Sequence, residues 1–350
     1  CRRRHGRARL PPSAMSLSRR GLLAGLGAAA LAPTARAQAI EPGRSSLSVS
    51  ARPLSVFEPG NPTKTRFGQL VFRSGLVLSA GHPRFGGFSG LWRSPDGTQL
   101  VAVSDKASWL TGRLVRRDGR LVGLEQAEIA PVLGVSGRPL SRSRYYDTEA
   151  LAIQDGIAYL AVERTHDILR FDWAKYGVEA RARIVQVPPA AKRLPSNRGM
   201  EALGVVPAGH PLAGALVAIS ERSGKEDEPT SGFIIGGRQP GTFQVIRRDG
   251  YDITDLAFLP GGDMLLLERW YRPLRGVGMR IRRIAGASLR PGARLDGQIL
   301  IDADLGQEID NMEGMAVHLE GGRTIITLIS DDNFSTFLQR TVLLEFELAQ

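Results

Sequence analysis

Among 350 residues there is a single cysteine, Cys1, which precedes the first methionine, Met15. The chain beyond it can form neither a disulfide nor a thiolate metal site, so its stability must come from a packed core. Histidine is nearly as scarce. His82, His166, His210 and His318 show no H-x-x-x-H or H-E-x-x-H spacing, which removes the usual signature of a zinc site. There is no G-x-S-x-G sequence, so a nucleophile-elbow serine mechanism has no support, and no Walker or dinucleotide glycine pattern follows a strand-like run. No apolar run approaches the roughly 20 residues needed to span a bilayer; the longest, of about a dozen, lies near the N-terminus. Helical patterning is confined to that same Ala-rich stretch, and 41 glycines and 21 prolines punctuate the remainder.

The N-terminal stretch has the order of an export signal. Ser18-Arg19-Arg20-Gly21-Leu22-Leu23 leads into an Ala/Leu/Gly run ending at Ala32, followed by Pro33-Thr34-Ala35-Arg36-Ala37. A charged segment, a short apolar segment and a small-x-small site are the parts of a signal peptide, and the paired arginines assign it to the twin-arginine (Tat) route. Residues 1–14 are therefore expected to be an upstream or disordered extension, 15–39 a Tat-type signal peptide read by the Tat export machinery, and 40–350 a single periplasmic or secreted domain with no membrane span. Residues 1–37 hold eight arginines and no acid. Without them the 46 basic residues fall to 38 against 35 acidic, and the formal charge drops from +11 to +3, which argues against nucleic acid as a partner.

What the rest of the chain contains is repetition. Five segments share one form, a short apolar strand opened by a small or acidic residue, a Gly-containing turn, a second apolar strand and a polar pair. They run from Phe88 to Asp105, Thr148 to Arg164, Met200 to Arg222, Thr254 to Arg269 and Met312 to Asp332. The anchors Ser89, Glu149, Glu201, Asp255 and Glu313 are 60, 52, 54 and 58 residues apart. Asp96-Gly97, Asp155-Gly156, Gly261-Gly262-Asp263 and Gly321-Gly322 supply the hairpin turns. Further strand-like runs follow in each unit, and four strands per repeat is the recipe of an all-β propeller. Five units occupy about 85–350, and strands at Ser46–Val56 and Gln69–Ser79 are left to build a further blade, so six blades are expected, five or seven being the alternatives. Val342-Leu343-Leu344-Glu345-Phe346 would pair with N-terminal strands to close the ring. Long loops are expected at 134–147, 188–199, 223–231 and 270–279.

The first two strands of each unit are antiparallel, which sets Glu149 beside Glu163-Arg164, Glu201 beside Glu221-Arg222, Asp255 beside Glu268-Arg269 and Glu313 beside Asp331-Asp332. First strands line a propeller's channel, so these residues should converge as a ring of carboxylates interleaved with arginines. Glu149, Glu201, Asp255 and Glu313 are the catalytic candidates, and Arg164, Arg222 and Arg269 the candidates for gripping a small anionic, phosphorylated or ester ligand. Asp105, Glu163, Glu221, Glu268, Asp331 and Asp332 are the candidate cation ligands, with Ca²⁺ suited to such an oxygen-rich set. An architectural reading stands beside this one: a residue that recurs in every blade also serves as a packing device, and a unique active site should break the symmetry. Ser89 with Asp105-Lys106, and Asp331-Asp332-Asn333, are where the repeat departs from its pattern.

The ordered motifs G-G-F-S-G-L, D-T-E-A-L-A-I with A-V-E-R, N-R-G-M-E-A-L, I-T-D-L-A-F with L-L-L-E-R, and N-M-E-G-M-A-V with S-D-D-N resemble the bacterial phytase-like, or "esterase-like activity of phytase", domain family over about 68–348. The resemblance implies a propeller with metal-assisted phosphoester or ester hydrolase character, its chemistry falling on Glu149, Glu201, Asp255, Glu313, Glu163, Glu221, Glu268 and Asp331. The alternative class is a non-catalytic ligand-binding or scaffold propeller whose charged ring is architectural.

Overall fold

Glycine-bearing turns fold each apolar segment back on itself. Gly97, Gly156, Gly262 and Gly322 all take positive φ at the expected hairpins, a conformation that a side chain disfavours. The second strand of each unit is packed on both faces, which is why it reads as an unbroken apolar run: every residue of Leu216–Ser220 is buried. The computed structural model describes residues 43–196, 198–225, 228–272 and 275–349. The expected extension at 1–14 and signal segment at 15–39 lie outside the described residues. Among the described residues the only α-helix is Trp173–Tyr176, and no helix is long and apolar enough to cross a membrane.

Among the described residues the strands form five sheets arranged as propeller blades, antiparallel except where Arg294–Leu295 pairs parallel with Gly241–Val245 at the outer edge of the third. Their innermost strands are Phe88–Arg93, Thr148–Gln154, Met200–Val205, Asp252–Phe258 and Asn311–Glu320, and each contacts the next in a closed ring. Five buried apolar clusters lie between the blades, one at each interface. Each fully buried Leu, Ile or Phe in them contributes roughly 1.5–3 kcal/mol, so the core is distributed around the ring.

The blade number is five rather than the expected six. The N-terminal strands build no blade of their own: Leu70–Ser79 pairs antiparallel with Thr341–Leu348, Leu76 opposite Leu343 and Phe72 opposite Phe346, and so completes the fifth blade. Ser50–Leu54 adds outside it, while Ser45–Leu47 joins the outer edge of the first blade. Packing of Phe57 and Phe67 with Phe72 and Phe346 secures this closure. The expected pairing of the two chain ends thus holds, within a smaller ring.

The segment 270–279 differs from the loop expected of it. Met264–Arg272 and Gly276–Ile284 are one hairpin in which Trp270 pairs with Gly278 and Tyr271 with Val277. Its glycines allow Trp270 to lie against Gly278, and Tyr271 beside it is exposed.

Candidate functional site

Every innermost strand carries a β-bulge in its first turn. Pairing skips Ser89 in blade one, Glu149 in blade two, Glu201 in blade three, Thr254 in blade four and Glu313 in blade five. A bulge leaves one residue out of the ladder and re-aims its side chain. The residue that follows packs against the neighbouring blade and must be small: a Cβ on Gly90 would lie 2.7 Å from the Leu151 nitrogen. Gly90, Ala150, Ala202 and Gly314 satisfy this requirement; blade four has Asp255 there.

Asp255 consequently stands one position out of register with Glu149, Glu201 and Glu313. Its carboxylate is fully buried and accepts hydrogen bonds from the backbone N–H groups of Met315 at 2.7 Å and Leu256 at 2.8 Å, tying blade four to blade five. Burial raises its pKa well above the carboxylate range, against those backbone bonds.

The second strand of blade four carries the same offset. Asp105, Glu163, Glu221 and Asp331 each follow the residue paired just before the bulge, and the residue in that place in blade four is Arg269. Glu268 lies inside the sheet instead. Its side chain, 1 % exposed, is gripped by Arg282 at 2.8 Å and 2.5 Å, and Arg282 reaches on to the Ile246 carbonyl. The two positions per blade therefore hold Ser89 and Asp105, Glu149 and Glu163, Glu201 and Glu221, Thr254 and Arg269, Glu313 and Asp331. Blade one has Ser89 in place of one acid, and blade four breaks the symmetry further: it supplies a hydroxyl and a cation to a ring that otherwise carries seven carboxylates.

The electrostatics follow from that ratio. Burial, then the charges of Glu313, Asp147, Asp105 and Glu163, hold Glu149 well above its ordinary pKa. Burial followed by Glu221 does the same to Glu201. Burial pushes Asp105 up to about 6, and burial with Glu313 pushes Asp331 up to about 8. Glu163 and Glu221 are raised by burial, with the Gly199 N–H and Arg269 respectively pulling back. Burial works against the charge on Arg269, but Glu313, Glu201 and Glu221 outweigh it and raise the guanidinium's pKa. Its Nε lies 3.2 Å from Glu313, whose carboxylate also accepts the Asn311 side chain at 2.7 Å. Ser89 is buried and its hydroxyl finds no partner among the described residues.

Asp147, which sequence reasoning missed, joins the ring from the long loop before blade two. One oxygen each of Asp147, Glu149 and Glu163 lies within 4.8 Å of the others. Such a set of hard oxygen donors, with Arg164 on Asp147 as its adjoining cation, could hold a divalent cation of the Ca²⁺ or Mg²⁺ type. The remaining candidates lie nearby in other roles. Arg164 bonds Asp147 at 2.8 Å and stacks over Tyr146; Arg222 bonds Asp252. Asp332 accepts the Gly87 and Phe334 N–H groups and the Thr341 hydroxyl, stitching blade five to the loop ahead of blade one.

A family model described as "Phytase-like: Esterase-like activity of phytase" matches residues 83–334. No curated protein sequence matches the chain. Among solved structures, the nidogen/laminin complex aligns at 11 % identity and a TM-score of 0.40, covering 79 % of this chain and 95 % of that one. The glutaminyl cyclase of Myxococcus xanthus aligns at 13 % identity and 0.39, covering 76 % and 92 %. The PQQ-bound aldose sugar dehydrogenase of Streptomyces coelicolor also aligns at 13 % and 0.39, covering 86 % and 98 %.

Proposed function

The chain belongs to the phytase-like family, and from that premise we propose that it is an exported, cation-assisted hydrolase of phosphoesters or esters, working at the carboxylate-rich end of the channel. The observation that carries this reading is the imbalance of the ring, seven carboxylates around Arg269 with a three-oxygen cluster at one side. Asp147, Glu149 and Glu163 would hold a divalent cation, Ca²⁺ being the first to test. When bound, such a cation polarises a phosphoryl or carbonyl oxygen and lowers the pKa of its water.

The protein's own groups complete the arrangement. Arg269, kept charged by its acidic neighbours and fixed by Glu313, presents donors to an anionic or developing oxyanion oxygen. Glu201, its pKa raised by burial and by Glu221 against the pull of Arg269, would give a proton to a leaving alkoxide. Asp255 and Asp332 serve the frame through the bonds between blades described above, and Glu268 through its pairing with Arg282 inside blade four. Export by the Tat route rests on Ser18-Arg19-Arg20 and the apolar run behind it.

Titration calorimetry with Ca²⁺, together with a screen of phosphomonoesters, phosphodiesters and carboxyl esters, tests the proposal. Ca²⁺ binding that weakens at least tenfold in Glu149→Gln, alongside turnover that falls in Arg269→Met, is the expected result. Neither binding nor turnover in the folded protein would leave the ring as architecture.

A further inference from the structure

Beside the charged ring, and sharing Arg269 and Glu313 with it, lies a cavity of about 640 Å³ whose lining divides into an apolar wall and a polar remainder that includes Asp310, Asn311 and Arg340. Its size falls within the roughly 300–1,000 Å³ of small-molecule sites. Tyr271 from the blade-four hairpin, Leu305 and Ile309 from the connection into blade five, and Leu338 from the connection within blade five line that wall. Tyr271 is 65 %, Leu305 59 % and Leu338 78 % exposed, and Phe337 beside Leu338 is 96 % exposed. Three of the nine large apolar side chains exposed among the described residues thus line one cavity, and a fourth, Phe337, adjoins Leu338 in the chain. A concentration of apolar surface in water beside a polar site marks a place where a ligand covers it.

The charges set a second condition. Arg340, in the polar part of the lining, is engaged by Glu308 at 2.8 Å and by Asp310 at 3.6 Å. Arg269 lines the cavity while paired with Glu313 at 3.2 Å and Glu221 at 3.9 Å, and is the guanidinium that would meet a ligand's anionic group, with the ring carboxylates around it repelling any further negative charge. We infer that the site takes amphiphilic substrates, a single ester or phosphoester head at Arg269 with an alkyl or aryl group in the adjoining cavity, in preference to polar polyanions. The word substrate rests on the hydrolase reading; the preference for an apolar group does not.

Binding of methyl phosphate and octyl phosphate to the full chain in the presence of Ca²⁺, measured by calorimetry, separates the two. Each methylene removed from water contributes about 0.8 kcal/mol, about fourfold, so burying roughly two of the added methylenes makes octyl phosphate more than about tenfold tighter. That ratio should collapse toward one in Leu305→Ser/Leu338→Ser and fall in Leu338→Asp, which changes only a surface side chain. No octyl phosphate binding, a ratio near one in the natural protein, or a ratio unchanged in both variants overturns the inference. Turnover is read separately. Tight octyl phosphate binding without hydrolysis of any ester supports the cavity and removes the hydrolase reading, whereas hydrolysis with no chain-length preference does the reverse.

Discussion

At the scale of the residue, Asp255 shows how one position decides a role. A carboxyl group at the small-residue site of its strand faces the next blade, where the Met315 N–H satisfies it together with the N–H of Leu256 on its own strand. Asp255→Ala should cost about 1–3 kcal/mol by leaving those donors unpartnered, visible as a lowered denaturant midpoint. The kcat of the folded fraction should change little; a loss of kcat with unchanged stability would put Asp255 in the chemistry. The sequence concealed this because T-D-L-A-F mimics T-E-A-L-A-I, and L-L-L-E-R mimics A-V-E-R, so both strands of blade four slipped together when aligned by similarity. The usable signal lay in the next residue: Gly90, Ala150, Ala202 and Gly314 are small, and Asp255 is not.

At the scale of the element, the bulge and the ring closure carry the design. Glu345 in Thr341–Leu348 and Arg93 in Phe88–Arg93 are both wholly buried where blade five meets blade one, 3.2 Å apart, with Arg116 adding a second guanidinium at 2.6 Å. Those two arginines draw the Glu345 pKa down although burial opposes it. Removing one partner of a buried pair leaves an uncompensated charge, so Glu345→Ala should lose about 3–5 kcal/mol in chemical denaturation, a larger loss than exposed Glu125→Ala, which should stay within about 1 kcal/mol. Equal effects would mean that the closure does not depend on this pair. The hairpin turns were legible because Asp-Gly and Gly-Gly state their backbone geometry locally. The hairpin through Trp270 was not, because its proline and glycines read as a loop while its strand character comes from cross-strand pairing.

At the scale of the whole molecule, the crowded ring makes stability depend on pH in an unusual direction. Burial with Glu313 holds Asp331 at about 8, and burial holds Asp105 at about 6, each above an ordinary 3.8. The folded protein thus keeps protons that the unfolded chain releases. This contribution is fully present below about pH 4 and is lost as pH rises through about 6 and then 8. A cation bound in the ring, as proposed, would compete with those protons, so the rise in Tm on adding Ca²⁺ should be larger at about pH 8 than at about pH 5; saturation at 100 Kd corresponds to about 2.7 kcal/mol. A Tm increment independent of pH, or none, would remove the ring as the cation site.

The sequence by itself determined the all-β propeller, its hairpin turns, the pairing of its two ends and most of the carboxylates that meet in the channel, because these follow from local turn chemistry and a repeat of blade length. Only the tertiary structure decided that the ring closes at five blades, that Arg269 and Thr254 break its symmetry, that Asp147 joins the acids and that an apolar cavity opens beside them. Each of those depends on how strands from different repeats register and pack against one another, and a one-residue shift in a strand changes which side of the sheet a side chain faces without altering the composition that sequence reasoning reads.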